Sequence, residues 1–458
     1  MPRLTAITLY EHEEKKYRDI AGDKKTIQDA LIKLNEQFKK GFKKLDKSED
    51  NSDSGDKIDE SKGVVEVYAN KIKARHYVGF AAVDNVFIQI LPKVFKPKGN
   101  QTQETQEDTW KSILAFIRML NMAYGLKIKD YDLAFLHGQK LQPNLYEVFI
   151  YLFAQSLWNE VQRGYHREYV EVHREERFLR GKLLMSRQIR KLPPQLNTFS
   201  VEVHELIEDN LLNRIFYASI REALRRTTWG LNRKLLGELM LAFDGVTPIH
   251  LMAEHFERVH FTRLNERFRK PFELAKLLFM PANGKGRSRE VSGFFVDMNK
   301  LFERFIERVL MRNLPLGYKM SYQESRSFLK NQDGNLQKPD YVIRKGDIPV
   351  MVLDAKYREL KEGIPSSDML RQLYVYSRLW GYKNENNYEN DSRPPAVIII
   401  PSSSTYNPEL SNTHFLKFEF FDGRKLFVVT YNMEHLKTGD ISEADREFKT
   451  TLNNILNP

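Results

Sequence analysis

The chain has 458 residues, 41% of them apolar and 12% aromatic, enough to fill the cores of two or three domains, which excludes a disordered or fibrous class. Lysine and arginine outnumber aspartate and glutamate by 72 to 61, a net charge of +11, which suits a polyanionic partner such as nucleic acid; plain basic solubility is the alternative. The absence of cysteine excludes disulfides and thiolate metal sites and leaves oxygen or histidine ligands for any metal.

Residues 4–10 predict a short strand, and the charged segment 25–40 a helix with Ile27, Leu31 and Leu34 on one face. The start, MPRLTAITLYEHEEKKYRD, carries no apolar run of signal-peptide type, and the longest apolar stretch, 148–158, is too short to cross a bilayer. The expectation is a soluble, cytoplasmic protein with no membrane contact. Residues 43–62 have almost nothing to bury and read as a polar insertion. In 64–95 the alternation and the Asp84-Asn85 turn predict a β-hairpin or small barrel, closed by a second polar loop at 96–108. From residue 109 the period is helical, with Trp110, Ile113, Leu114, Ile117 and Leu120 on one face, and helices alternating with loops are expected to about residue 290. Within that stretch 163–191 interleaves basic residues with Tyr165, Tyr169 and Phe178. It reads either as a surface that tracks phosphates or as a solvated face whose arginines pair with Glu168, Glu171, Glu175 and Glu176. PANGKGRSRE at 281–290 marks a boundary.

The last third carries the chemistry. The segment VDMNKLFERFIERVLMR predicts an amphipathic helix whose stripe is Leu301, Phe302, Phe305, Ile306 and Val309, with Glu303 beside it. After it, DYVIR and PVMVL predict a hairpin turning at Lys345, Gly346 and Asp347, which places Asp340 opposite Leu353 and Asp354. On a strand, residues two apart share a face, so Asp354 and Lys356 project together. Two ionised aspartates beside a dry strand are costly unless a cation sits with them. Magnesium suits such oxygen ligands and keeps waters, one of which can be acidified to attack phosphorus, while Lys356 offsets charge on the phosphate. A plain Asp–Lys pair on an edge strand is the alternative. SSDMLRQLYVYSRLWGY predicts a helix capped near Ser366, with Gln372 and Tyr376 on one face, poised for hydrogen bonding or for core filling. No P-loop is present, since neither GKGRS at Gly284 nor RGKLL at Gly181 fits one, so the chain is expected to bind no nucleotide. HExxH, GxSxG and GxGxxG are missing too, which leaves hydrolytic chemistry to the carboxylates.

The order Glu303, Pro339-Asp340, hairpin, Asp354-x-Lys356, Gln372 and Tyr376 resembles the PD-(D/E)XK nuclease superfamily in its RecB-like branch. YVGF and IQILPKV at 77–94, FLRGK at Phe178, DNLLNRI at Asp209 and FVDMNKLFERF at Phe295 further resemble the McrC family, nuclease subunits of McrBC modification-dependent restriction systems. The resemblance implies an α/β (α+β overall) chain in three parts. These are a β-rich motor-binding stalk over 1–155, with insertions near 43–62 and 96–108; a helical, basic middle region over 156–290; and a nuclease domain over 291–458 with a mixed sheet flanked by helices. It implies a Mg2+-dependent endonuclease acting on double-stranded DNA in a methylcytosine-type defence system. Asp340, Asp354 and Lys356 would be catalytic, Glu303 would join the two aspartates at the metal, and Gln372 and Tyr376 would support the site. The implied partner is a McrB-type AAA+ GTPase hexamer, with Arg75 and Lys93 as exposed-looking candidates for its contact. The rival readings are a non-catalytic adaptor that stimulates a motor and a stand-alone RecB-like repair nuclease.

Overall fold

The sequence folds as a mixture of helices and mixed sheets in the computed structural model, which describes residues 5–39, 63–97, 105–195, 197–280, 291–327, 336–381, 392–410 and 415–456. The polar insertion expected at 43–62, most of the 96–108 loop and the 281–290 segment lie outside the described residues. The chain packs into two compact units, one of residues 1–145 with 294–458, the other of 146–293. Among the described residues no helix is long and apolar enough to cross a membrane.

In the first unit the expected hairpin forms from Tyr77–Val83 and Val86–Leu91, turning at Asp84 with a positive φ of 50°, a conformation that aspartate tolerates. Thr5–Tyr10 pairs in parallel with Val86–Leu91, and Val291–Asp297 lies on the far side of Tyr77–Val83, giving a four-stranded sheet. The approach there is close: a Cβ on Gly79 (φ 140°) would lie 2.2 Å from the carbonyl oxygen of Phe294. Gly79→Ala is therefore expected to lower stability by about 2–4 kcal/mol, read as a lower denaturation midpoint, because backbone cannot yield as a side chain can.

The larger sheet has six strands in the order Tyr318–Tyr322, Tyr341–Lys345, Ile348–Ala355, Ala396–Ser402, Lys425–Asn432 and Phe415–Glu419. Ile348–Ala355, Ala396–Ser402 and Lys425–Asn432 run parallel to one another, and the outer strands pair antiparallel. The parallel strands read as near-continuous apolar runs because both faces are covered. On one face Val342, Val352, Ile398 and Val428 pack against Met369, Leu373, Tyr376 and Trp380 of the helix Ser367–Leu379 and its C-terminal end. That helix starts where the sequence suggests, with the Ser366 side chain accepting from the Met369 amide. The FVDMNKLFERF motif is likewise a helix start: Asp297 accepts from the amides of Asn299 and Lys300 and caps Met298–Asn313.

The 146–293 unit corrects the expectation of helices and loops throughout. Glu168–Glu176, Lys182–Leu183 and Phe199–Ile207 form a three-stranded antiparallel sheet with Phe199–Ile207 in the middle. The strand EYVEVHREE is exposed or half-buried along its whole length, so no apolar periodicity announces it; pairing with Phe199–Ile207 holds it extended. The DNLLNRI motif is a helix cap, since Asn210 accepts from the Asn213 amide to open Leu211–Arg226. The buried Glu147 carboxylate is met by Thr227, Thr228 and Asn232, a structural anchor with its acceptors filled.

Candidate active site

The hairpin decides which side chains meet. Tyr341 pairs with Leu353, Val342 with Val352 and Ile343 with Met351, a bulge follows, and the chain turns at Gly346 (φ 62°). Val342 and Val352 both enter the core beneath the helix Ser367–Leu379. Two residues outward along each strand, on that same face, are Asp340 and Asp354. The structure thus brings the two aspartates together, and the Ala355 amide donates to Asp340 Oδ2 at 2.7 Å. Lys356 Nζ lies 2.9 Å from Asp354 Oδ2.

Glu303 arrives from the helix Met298–Asn313. Its Oε1 accepts from Tyr322 Oη and from Gln323 Nε2, each at 2.8 Å, while Tyr341 Oη donates to its backbone carbonyl. Gln323 holds a left-handed φ of 47° and its amide donates to the Asp340 carbonyl, so one residue ties the glutamate to the first aspartate. Tyr322 and Gln323 carry no sequence motif and are not among the expected site residues; the positive φ, visible only in the fold, is their signal. Gln372 Nε2 donates to Tyr376 Oη at 2.7 Å, and Tyr376 Oη donates to the Lys338 carbonyl at 3.1 Å. Tyr376 therefore both fills the core and pins the chain two residues before Asp340.

Each of the three carboxylates has one oxygen engaged by a donor and the other without a partner among the described residues. Asp354 is 2% exposed. Burial, then Asp354 and Glu303, push the Asp340 carboxyl well above its ordinary value, against Lys356 and the Ala355 amide. Burial also raises Glu303, with Asp354 adding to it and its hydrogen bonds and Lys356 opposing. Burial works against the Lys356 charge, but Asp354 and Asp340 outweigh it and raise its pKa. Such a set, acidic and short of positive charge, fits a hard divalent cation. The three are set more openly than Glu171, Glu202 and His204 in the other unit, whose ligand atoms lie within 4.8 Å of one another. That second group is an exposed acidic cluster whose Glu202 already faces Lys182 and His173.

Arg75 and Lys93 are half-buried, which corrects their expected exposure. Arg75 faces Glu66 at 3.8 Å. Lys93 Nζ lies over the rings of Tyr357 and Tyr406 at 5.5 and 4.9 Å.

The family profile described as McrBC 5-methylcytosine restriction system component matches residues 72–387. The chain belongs to the McrBC 5-methylcytosine restriction system component family. It is similar to a chain in a half-complex of Thermococcus gammatolerans McrB AAA+ hexamers with bound McrC, at 75% identity over 98% of this chain and 100% of that one, TM-score 0.81. A second structure, the Thermococcus gammatolerans McrBC complex, matches at 61% identity with the same coverage and a TM-score of 0.65. A search of curated proteins found no match.

Proposed function

We propose that the chain is the DNA-cleaving subunit of a cytoplasmic, methylcytosine-type restriction complex, a Mg2+-dependent PD-(D/E)XK endodeoxyribonuclease that partners and stimulates a McrB-type AAA+ GTPase hexamer. The observation that carries this reading is the meeting of Asp340, Asp354 and Glu303, each with one oxygen unpartnered among the described residues, beside the Lys356 ammonium. Asp340, Asp354 and Glu303 would hold the ion, which when bound supplies an acidified water and neutralises charge at the phosphate.

The rest falls to the chain. Lys356, held by Asp354, presents a positive charge to the charge that builds on the phosphate in the transition state. Tyr322 and Gln323 fix which Glu303 oxygen is turned toward the site, and Tyr376 fixes the entry to Asp340 through Lys338. Since those groups are locked by packing and by one another, little reorganisation is required on reaction. Cleavage of methylated duplex DNA by the chain with its GTPase partner is expected to stop in EDTA and return with excess Mg2+, measured on gels; cleavage that persists in chelator would reject the metal reading.

A further inference from the structure

The IQILPKV motif at 88–94 runs into a turn that takes no part in the site described above. Thr5–Tyr10 and Val86–Leu91 lie side by side as parallel strands, and at their shared end the Glu11 amide donates to the Leu91 carbonyl. The chain then makes a short helical turn, Lys93–Phe95. Both strand ends meet one residue, Tyr357, which follows Lys356 directly. Tyr357 Oη donates to Glu11 Oε2 at 2.8 Å and accepts from the Val94 amide at 3.3 Å. The same Glu11 oxygen accepts from the Lys93 amide at 3.0 Å.

The Tyr357 ring is held as firmly as its hydroxyl. It stacks on Tyr406 at 5.7 Å with 15° between the planes, and the ring of Phe302, the residue before Glu303, lies 5.9 Å away. The Lys93 ammonium covers the rings of both tyrosines. Ser403 Oγ donates to the Val94 carbonyl and Thr405 Oγ1 to the Lys96 carbonyl, each at 2.8 Å, so the turn is fixed from its far side too. The backbone around Tyr357 is also engaged: the Lys356 amide donates to the Ile399 carbonyl, and Asn407 binds the Arg358 carbonyl and the Leu360 amide. One side chain is thereby held next in sequence to Lys356 and against the neighbour of Glu303.

Filling the core requires none of these polar groups. Phenylalanine at 357 with leucine at 11 would occupy a similar volume without taking a carboxyl and a hydroxyl out of water, which costs free energy even when they are paired. What the polar pair adds is direction: a stacked ring can slide in its own plane, whereas a hydroxyl bonded to both Glu11 and the Val94 amide has one position. Lys356 needs that direction, because its ammonium acts on charge that appears only in the transition state, where a displacement of about 1 Å costs about a hundredfold in rate. We infer that Glu11 and the Lys93-Val94 turn are positioning residues for DNA cleavage, acting by holding Tyr357 so that Lys356 and the helix Met298–Asn313 keep their places at the cation site. The inference rests on the reading of this chain as a nuclease.

The test uses the full chain with its McrB-type GTPase, methylated duplex DNA and Mg2+, and measures kcat and KM for cutting beside GTP turnover. Tyr357→Phe keeps the ring and removes only the hydroxyl. It is expected to lower kcat at least about tenfold with the KM for DNA within about twofold of wild type, because the lost interaction belongs to the transition state. Stimulation of GTP turnover should stay at the wild-type level. Glu11→Leu should show the same loss, and Glu11→Gln, which keeps an acceptor for both donors, should hold kcat within about threefold of wild type. Wild-type kcat in Tyr357→Phe, a loss carried by KM alone, or equal losses in Glu11→Gln and Glu11→Leu would overturn the inference. So would a joint fall in cutting and in GTP stimulation, the mark of a damaged fold. A wild-type complex that binds the DNA and cuts none overturns the nuclease reading itself, which separates the two failures.

Discussion

Asp340→Asn is expected to end DNA cleavage and at the same time to stabilise the metal-free chain. Asp340 sits beside Asp354 and Glu303, and burial together with those two charges disfavours its ionised form. Lys356 and the Ala355 amide offset this only in part. An asparagine keeps an oxygen for the Ala355 amide and removes one negative charge from the cluster, so relief of repulsion is expected to add about 1–2 kcal/mol. The same change removes a cation ligand, and a loss of several kcal/mol of transition-state stabilisation corresponds to roughly a thousandfold or more in rate. Thermal melts in EDTA and cleavage assays in Mg2+ on the same preparation check both halves. An Asp340→Asn variant that is destabilised and still cuts would mean that Asp340 serves the fold and not the chemistry.

The second large effect lies away from that cluster. Stability is expected to fall as pH rises from about 5 to about 8, chiefly through Glu11. This residue follows the first strand and is 4% exposed; its Oε2 accepts from the Lys93 amide at 3.0 Å and from Tyr357 Oη at 2.8 Å. Burial pushes its carboxyl from 4.5 up to about 8, against the Lys93 amide, the Lys93 charge and the Tyr357 hydrogen bond. A carboxyl whose folded pKa is raised binds its proton more tightly folded than unfolded. Its contribution is thus fully present below the unfolded value of 4.5 and is lost as pH climbs through about 8. At about 1.4 kcal/mol per pH unit the loss reaches the order of 5 kcal/mol. Glu11→Gln keeps an acceptor for both donors and cannot ionise, so its urea midpoints at pH 5 and pH 8 should differ far less than those of the wild type. A wild-type midpoint that does not move between those values would show that Glu11 is not buried as a neutral acid.

How much of this was legible in the sequence follows from the range of each interaction. Asp354 and Lys356 stand out because they follow the apolar run PVMVL at a spacing of two, and Asp340 because a short turn reflects one strand onto the next; both arguments are local. Glu303 was legible only as a position beside a helical stripe. What places it are Tyr322 and Gln323, about twenty residues on, reaching back from a strand end whose left-handed backbone no pattern announces. The Glu11 contact with Tyr357 joins residues 346 apart, and nothing periodic connects them. The sheet of 168–207 was missed for another reason: with little buried in its outer strand, neither a period of two nor one of 3.6 is imposed on its apolar residues.

The most direct measurement of the central claim separates the two activities of the assembled complex. Full-length chain carrying Asp354→Ala would be mixed with its McrB-type GTPase and methylated duplex DNA in Mg2+, and DNA cutting and GTP turnover followed in one reaction. Cutting is expected to be lost while stimulation of GTP turnover stays at the wild-type level, because residue 354 lies at the cation cluster. Undiminished cutting by the Asp354→Ala variant would contradict it.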